Sequence, residues 1–270
     1  MNKVVLVTGA SSGIGREIAI RFAREGCTVY GTSRKAMDPP EGCNMLRMNV
    51  TSQESIAHAL GIILDKEGRI DVLVNNAGMG IAGSVEEMTD QECRKQFDVN
   101  YFGCLSMIRQ VLPVMIGQKD GHIVNISSVA GFISIPFQSA YSSSKFALEA
   151  LSKALRAEVR PYGVKVTVIQ PGDTRTGFTD SREICEKAGA SSHYRHVFAR
   201  SLAAMEHDEK NGTDPRYTAS VVLRAVKRKR PPHTVRVGLK YKLYGFAVRI
   251  VPERILEAVA ASIYAPKTKE

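Results

Sequence analysis

Tyr141 and Lys145 are the first residues whose types and spacing suggest chemistry, standing four apart in YSSSK. On a helix that spacing puts both side chains on one face. A phenol with its ordinary pKa of ~10 is a poor proton carrier at neutral pH. An ammonium about 4 Å away would favour the phenolate by roughly 4 kcal/mol at an intermediate dielectric, about three pKa units. The expectation is a tyrosine tuned for general acid–base work. Taken alone, the pair also reads as an ordinary surface pairing.

TGASSGIG at positions 8–15 carries a second chemistry. Glycines let a backbone pass close to a ligand, and a helix starting there offers free N–H groups to phosphate. Gly9, Ser11, Ser12, Gly13, Ile14 and Gly15 are candidate cofactor contacts, with a purely structural turn as the alternative. Thr32-Ser33-Arg34 ends a strand where an acid would bind a ribose 2′-hydroxyl and repel a 2′-phosphate. No acid stands there, and Arg34 offers a fork of donors suited to phosphate. NADP(H) is therefore expected ahead of NAD(H), against the alternative of a solvated arginine.

These groups need a scaffold, and the hydrophobic pattern supplies one. Strand-like runs at 4–7, 28–30, 45–48, 72–74, 123–126, 164–169 and 234–237 alternate with helical stretches. A Thr89/Glu92 capping box opens the longest stretch, which runs with a bend to about 116. The alternation implies an α/β doubly wound parallel sheet, Rossmann-like, of about seven strands with helices on both faces. Ligands of such sheets bind beyond the carboxyl ends of the strands, where all the polar motifs fall. One domain spanning 1–270 is expected. Segments 173–216 and 239–270 break the alternation and are expected to cover the substrate, the second as a helical lid.

TGASSGIG, NNAG at 75–78, Asn100, Ser128, YSSSK and Pro171-Gly172 stand in the order and spacing of the short-chain dehydrogenases/reductases. The chain resembles that family over about residues 1–238, and Ser128 precedes Tyr141 by thirteen residues as the family requires. The resemblance implies a ketone or aldehyde interconverted with an alcohol. Tyr141 would be the acid in reduction and the base in oxidation. Lys145 would lower its pKa and hold the nicotinamide ribose. Ser128 would hydrogen-bond the substrate oxygen, and Asn100 would hold a water relaying protons to Lys145. Asn76, Ala77 and Gly78 would pack beside the adenosine half; Pro171, Gly172, Thr174 and Thr176 would hold the nicotinamide. Asn49, followed by Val50, stands where many relatives carry an adenine-contacting Asp, so a weaker amide contact is expected there. Relatives with a similar C-terminal extension act on bulky apolar alcohols such as steroids and retinoids. The long helices around Asn100 and Tyr141 resemble those through which relatives form dimers or tetramers, so a homodimer or homotetramer is expected.

Competing readings are narrower. The epimerase branch spaces its glycines differently, and enoyl reductases set Tyr and Lys further apart. A reductase of small carbonyl or acyl-chain substrates, or a cofactor sensor without turnover, remains an alternative; a sensor has no need of Tyr141, Lys145, Ser128 and Asn100 together. The net charge of +10 over 270 residues suits anionic partners without choosing among them. KRKR at 227–230 reads as a charged helix end before Pro231-Pro232, with no interleaved aromatics to favour nucleic acid. His193 and His196 lack further ligands, so no metal is expected. Five cysteines without a CxxC pair and no leader pattern point to a reducing, cytoplasmic setting. The stretch 241–264 reads as a pocket wall in preference to a basic membrane-surface helix.

Overall fold

A computed structural model describes residues 1–189 and 191–265; residue 190 and the end of the 239–270 segment, 266–270, lie outside the described residues. Seven parallel strands form the central sheet, in the order β3-β2-β1-β4-β6-β7-β9. β1 (Val4–Val7) leads through the glycine turn into α1 (Gly13–Ala23), then come β2 (Thr28–Ser33) and β3 (Cys43–Arg47). α2 (Gln53–Glu67) runs from a Ser52 cap, which accepts the Ser55 N–H, to left-handed Gly68. β4 (Val72–Asn75) follows. The strand order reverses between β1 and β4, the switch point where such sheets open a ligand crevice.

Successive residues of each strand feed opposite faces. Val5 and Val7 join Ile18, Phe22 and Val222 in one core, under α1 and α7 (Pro215–Lys227). Leu6 and Leu73 join Ile56, Met107 and Leu155 in the other, under α2, α4 (Gly103–Gln118) and α5 (Ser139–Val159). Burial of whole β-branched strands on both faces is what a parallel sheet requires. β6 (Gly121–Ile126), β7 (Val164–Pro171) and β9 (Thr234–Val237) complete it.

Several expectations change in detail. β2, β6 and β7 extend past the runs read from hydrophobicity, since Ser33, Gly121, His122 and Pro171 pair through the backbone whatever their side chains. A small parallel ladder, β5 (Ile81–Ala82) with β8 (Glu183–Ile184), has no hydrophobic signature because each strand has two residues. The expected bend after α3 (Asp90–Phe97) is a π-helical turn, Asp98–Phe102, and the Thr89/Glu92 box is present. Asp214 caps α7 and Pro215 and Arg216 open it, packed on α1, so the segment bordering the site ends sooner than expected. Its middle is α6 (Arg195–Lys210). The C-terminal stretch is a helix pair, α8 (Leu239–Ile250) and α9 (Glu253–Tyr264). α7 ends at Lys227, whose ammonium pairs with Glu25 at 2.6 Å.

Candidate active site

A cleft of about 770 Å³ runs along the carboxyl edge of the sheet. Its floor at one end is the glycine turn. Gly9 and Gly13 adopt left-handed φ of 66° and 53°. A Cβ on Gly15 would meet the Gly9 carbonyl oxygen at 2.3 Å and Asn76 Nδ2 at 2.3 Å, so only glycine fits. Asn76 locks the turn from beneath by donating to the Thr8 and Gly9 carbonyls (3.0 and 3.1 Å). The Thr8 hydroxyl returns the tie, accepting the Asn76 and Ala77 N–H groups at 3.0 Å. Ser12 caps α1 without a side-chain bond, and the first turn of α1 holds no acid. That end of the helix is therefore free to bind an anion.

Ser11, Ser12, Ile14, Ser33, Arg34, Asn49, Val50 and Gly78 border the same cleft. Arg34 is exposed and, among the described residues, forms no ion pair. Asn49 keeps its amide oxygen busy with the Thr51 N–H and hydroxyl (3.2 and 3.0 Å). Gly15 lies behind the turn rather than on the cleft surface, and its contribution is the close packing just described. This crevice with its glycine cradle and open helix end fits a dinucleotide, and Arg34 borders it beside the end of β2.

The middle of the cleft is lined by Ser128, Tyr141 and Lys145, with Asn100 buried behind them and off the cleft surface. Asn100 sits in the π-turn, a distortion common at functional sites. It grips the Met79 backbone twice, accepting the N–H (2.9 Å) and donating to the carbonyl (3.0 Å). Its amide also donates to Ser144 Oγ (3.1 Å), whose hydroxyl donates to the Tyr141 carbonyl (2.7 Å). Lys145 is buried, and its ammonium donates to the Ile126 carbonyl at 3.0 Å. It stands 5.7 Å from the Tyr141 ring centre. Ser128 lies between β6 and the 3-10 turn Val129–Gly131, with its oxygen accepting the Ala130 N–H (3.1 Å), and it also hydrogen-bonds the phenol.

The electrostatics differ from the expectation drawn from the sequence. Burial pushes the Tyr141 phenol up to about 12, against the opposing Ser128 hydrogen bond, and the nearby Glu209 carboxylate adds to the rise. Burial likewise pushes the Lys145 ammonium down to about 8. Desolvation of the phenol opposes the effect expected of the ammonium, which points at a backbone carbonyl. Burial therefore favours the neutral O–H form of Tyr141 and weakens the hold of Lys145 on its proton.

Pro171 closes β7, and a Cβ on Gly172 would strike the Tyr241 ring at 1.8 Å. Thr174 donates to the Gly172 carbonyl (2.8 Å), and Thr176 packs over Gly13 while accepting the Phe178 N–H (3.2 Å). These segments bring the loop after β7 against the glycine turn, forming a wall at the junction of the two cleft halves.

A sequence profile described as short chain dehydrogenase matches residues 3–186. The chain belongs to the short-chain dehydrogenase/reductase family. It is accordingly an oxidoreductase acting on CH–OH groups. It is 42% identical over 264 residues to a 3-ketodihydrosphingosine reductase of Bacteroides thetaiotaomicron, covering 97% of this chain and 98% of that one. It is 30% identical to retinol dehydrogenase 8 of Bos taurus, covering 88% of this chain and 82% of that one. Among solved structures it superposes on a short-chain dehydrogenase from Streptomyces avermitilis with a TM-score of 0.80 and 34% identity, over 97% and 95% of the two chains.

This dehydrogenase uses residues that motif reading passed over. Ser144 lies one position before Lys145 and three after Tyr141, and that helical spacing was the available signal for its link to Asn100. Thr8, at the head of the glycine motif, is a second. Phe178, with its ring 5.8 Å from that of Tyr141, and Met205 and Glu209 on α6 come from the irregular segment and carry no sequence signature. His193 lies outside the cleft lining.

Proposed function

We propose that this enzyme reduces a long-chain, predominantly apolar ketone to a secondary alcohol with NADPH. The observation that carries the reading is the continuity of the cleft. It passes from the glycine turn and Arg34, past Tyr141, into a space bordered by Val248, Val251, Leu256 and Ala260 of the C-terminal helices. That apolar branch suits an alkyl chain of the kind carried by the substrate named for the Bacteroides relative. Asp208 borders the same cleft and suits a cationic group near the carbonyl, while Glu209 is already paired with the buried Arg182.

When bound, the nicotinamide supplies the hydride. The chain does the rest. Ser128 and Tyr141 donate hydrogen bonds toward the carbonyl oxygen, where negative charge grows in the transition state. Tyr141 then gives up its proton to that oxygen. Lys145 holds positive charge behind the phenol and orients the ribose, while Asn100 fixes the Met79 backbone and, through Ser144, the Tyr141 turn. Segments 173–213 and 239–265 exclude water from the reacting atoms. The exposed rings of Phe102 and Phe146 on the π-turn and α5 suit self-association, for which light scattering should give at least twice the mass of one chain.

The test is the initial rate of NADPH oxidation with 3-ketodihydrosphingosine, set beside a short ketone such as acetoin and beside NADH. The expected result is a higher kcat/KM for the long-chain ketone and for NADPH by about tenfold or more. Equal rates for both ketones would reject the substrate class, and equal use of NADH would reject the role given to Arg34.

A further inference from the structure

The outward face of α8 is built for something that the site above does not use. Leu239, Leu243, Phe246 and Ile250 recur at helical spacing and are 74%, 63%, 64% and 65% exposed. They lie off the cleft, which is bordered instead by Tyr241, Tyr244, Ala247 and Val248 on the other side of the same helix. An apolar residue exposed singly is ordinary, but four large ones in one stripe mark a surface that is covered in use. α9 extends the surface: Ile255, Val259 and Ile263 are exposed and also border the cleft. The rim of the cleft's apolar branch on α9 is therefore itself exposed apolar surface.

Charge selects the occupant. α8 contains no Asp or Glu, and Lys242 flanks its stripe, while Lys240 borders the cleft over the Tyr241 and Tyr244 rings. At the start of α9 the exposed Arg254 stands beside two exposed acids, Glu253 and Glu257, so the cationic excess lies on α8 and in the +10 of the whole chain. A second copy would bring the same cations face to face, at a repulsive cost. An anionic bilayer satisfies both requirements at once, burying the stripe below its headgroups and pairing Lys242 with lipid phosphates.

We propose that the α8 stripe and the apolar rim of α9 dock this enzyme on an anionic membrane surface, with the cleft mouth facing the lipid. A substrate dissolved in the bilayer then enters without crossing water. This goes beyond the reading of the reaction and does not rest on it, because docking needs neither cofactor nor turnover.

The experiment is sedimentation of the full chain with vesicles of phosphatidylglycerol and phosphatidylcholine in equal parts, against vesicles of phosphatidylcholine alone. Wild type should pellet with the anionic vesicles at low salt, at least about tenfold more than with the neutral ones, and raised salt should release it. Leu243→Ser with Phe246→Ser should lower the partition about tenfold or more, and Lys242→Glu should lower it on anionic vesicles alone. Both substitutions fall on exposed positions, and an unchanged melting temperature shows that the variants are folded. If the double variant fails that check, the Lys242→Glu result decides. Wild type left in the supernatant, or variants that pellet as wild type does, would overturn the proposal. So would a double variant that drops to a smaller mass in light scattering while wild type ignores vesicles, since the stripe would then be an interface between copies.

Discussion

The two halves of the cleft are secured by different means. Around Tyr141 the side chains are tied to the backbone of the sheet edge: Asn100 to both polar groups of Met79, Lys145 to the Ile126 carbonyl, Asn76 to the glycine turn. Around α8 and α9 the ties are few. Tyr241 wedges against Gly172 and donates a hydrogen bond to the Asp173 carboxylate, and α9 leans on α6. Proton transfer tolerates little misplacement of the reacting groups, so it is bound to rigid strands. An alkyl chain asks only for apolar wall, and helices anchored at a few points suffice. The half that does chemistry is thus buried and cross-braced, while the half that receives the substrate stays at the surface.

That contrast can be broken or sharpened. The largest effect should come from Lys145→Met, which removes the buried cation behind the phenol; kcat should fall about 10²–10⁴-fold with the melting curve still cooperative. A loss of less than about tenfold would mean that the cross-braced half is scaffolding. Next, Arg34→Ala deletes a charge-assisted contact and should weaken NADPH by about 10–100-fold while NADH is nearly unaffected, read by fluorescence titration. Equal weakening of both would place Arg34 elsewhere in recognition.

The pH profile is smaller in effect and more specific. Lys145, held down to about 8 by burial, is charged below that pH and neutral above it. Tyr141, pushed up to about 12, keeps its proton throughout. For reduction, kcat/KM should hold steady below about pH 8 and fall by roughly tenfold per unit above it. A profile flat to pH 10 would contradict that assignment. Smallest of all, Leu243→Ser with Phe246→Ser should change turnover of a short, water-soluble ketone by less than about twofold, since surface substitutions of this kind are nearly neutral. A larger change would show that the outer half reaches into the chemistry.

The same division governs what the sequence discloses. The glycine turn, the strand ends and the Tyr141–Lys145 spacing are local rules, each written in a few adjacent residues, and all fall on one edge of the sheet as expected. Phe178, Met205 and Glu209 reach the cleft from a segment without periodicity, so no short-range pattern locates them. The two-residue ladder of β5 and β8 is decided by tertiary packing, not propensity. The pairwise ammonium–phenol attraction read from the spacing leaves out desolvation, which depends on everything packed around Tyr141 and pushes the phenol's pKa the other way. The stretch at 241–264 reads as pocket wall or surface helix, and α8 has one face for each.

Tyr141→Phe puts the central assignment to its most direct test, because the change deletes one oxygen and leaves the ring against Phe178. NADPH binding by fluorescence titration and single-turnover oxidation of NADPH by a ketone should be measured on the same preparation. The account predicts affinity within about twofold of wild type and a hydride-transfer rate lower by about 10²–10⁴-fold. A variant that binds NADPH normally and still reduces the ketone at close to the wild-type rate would contradict it.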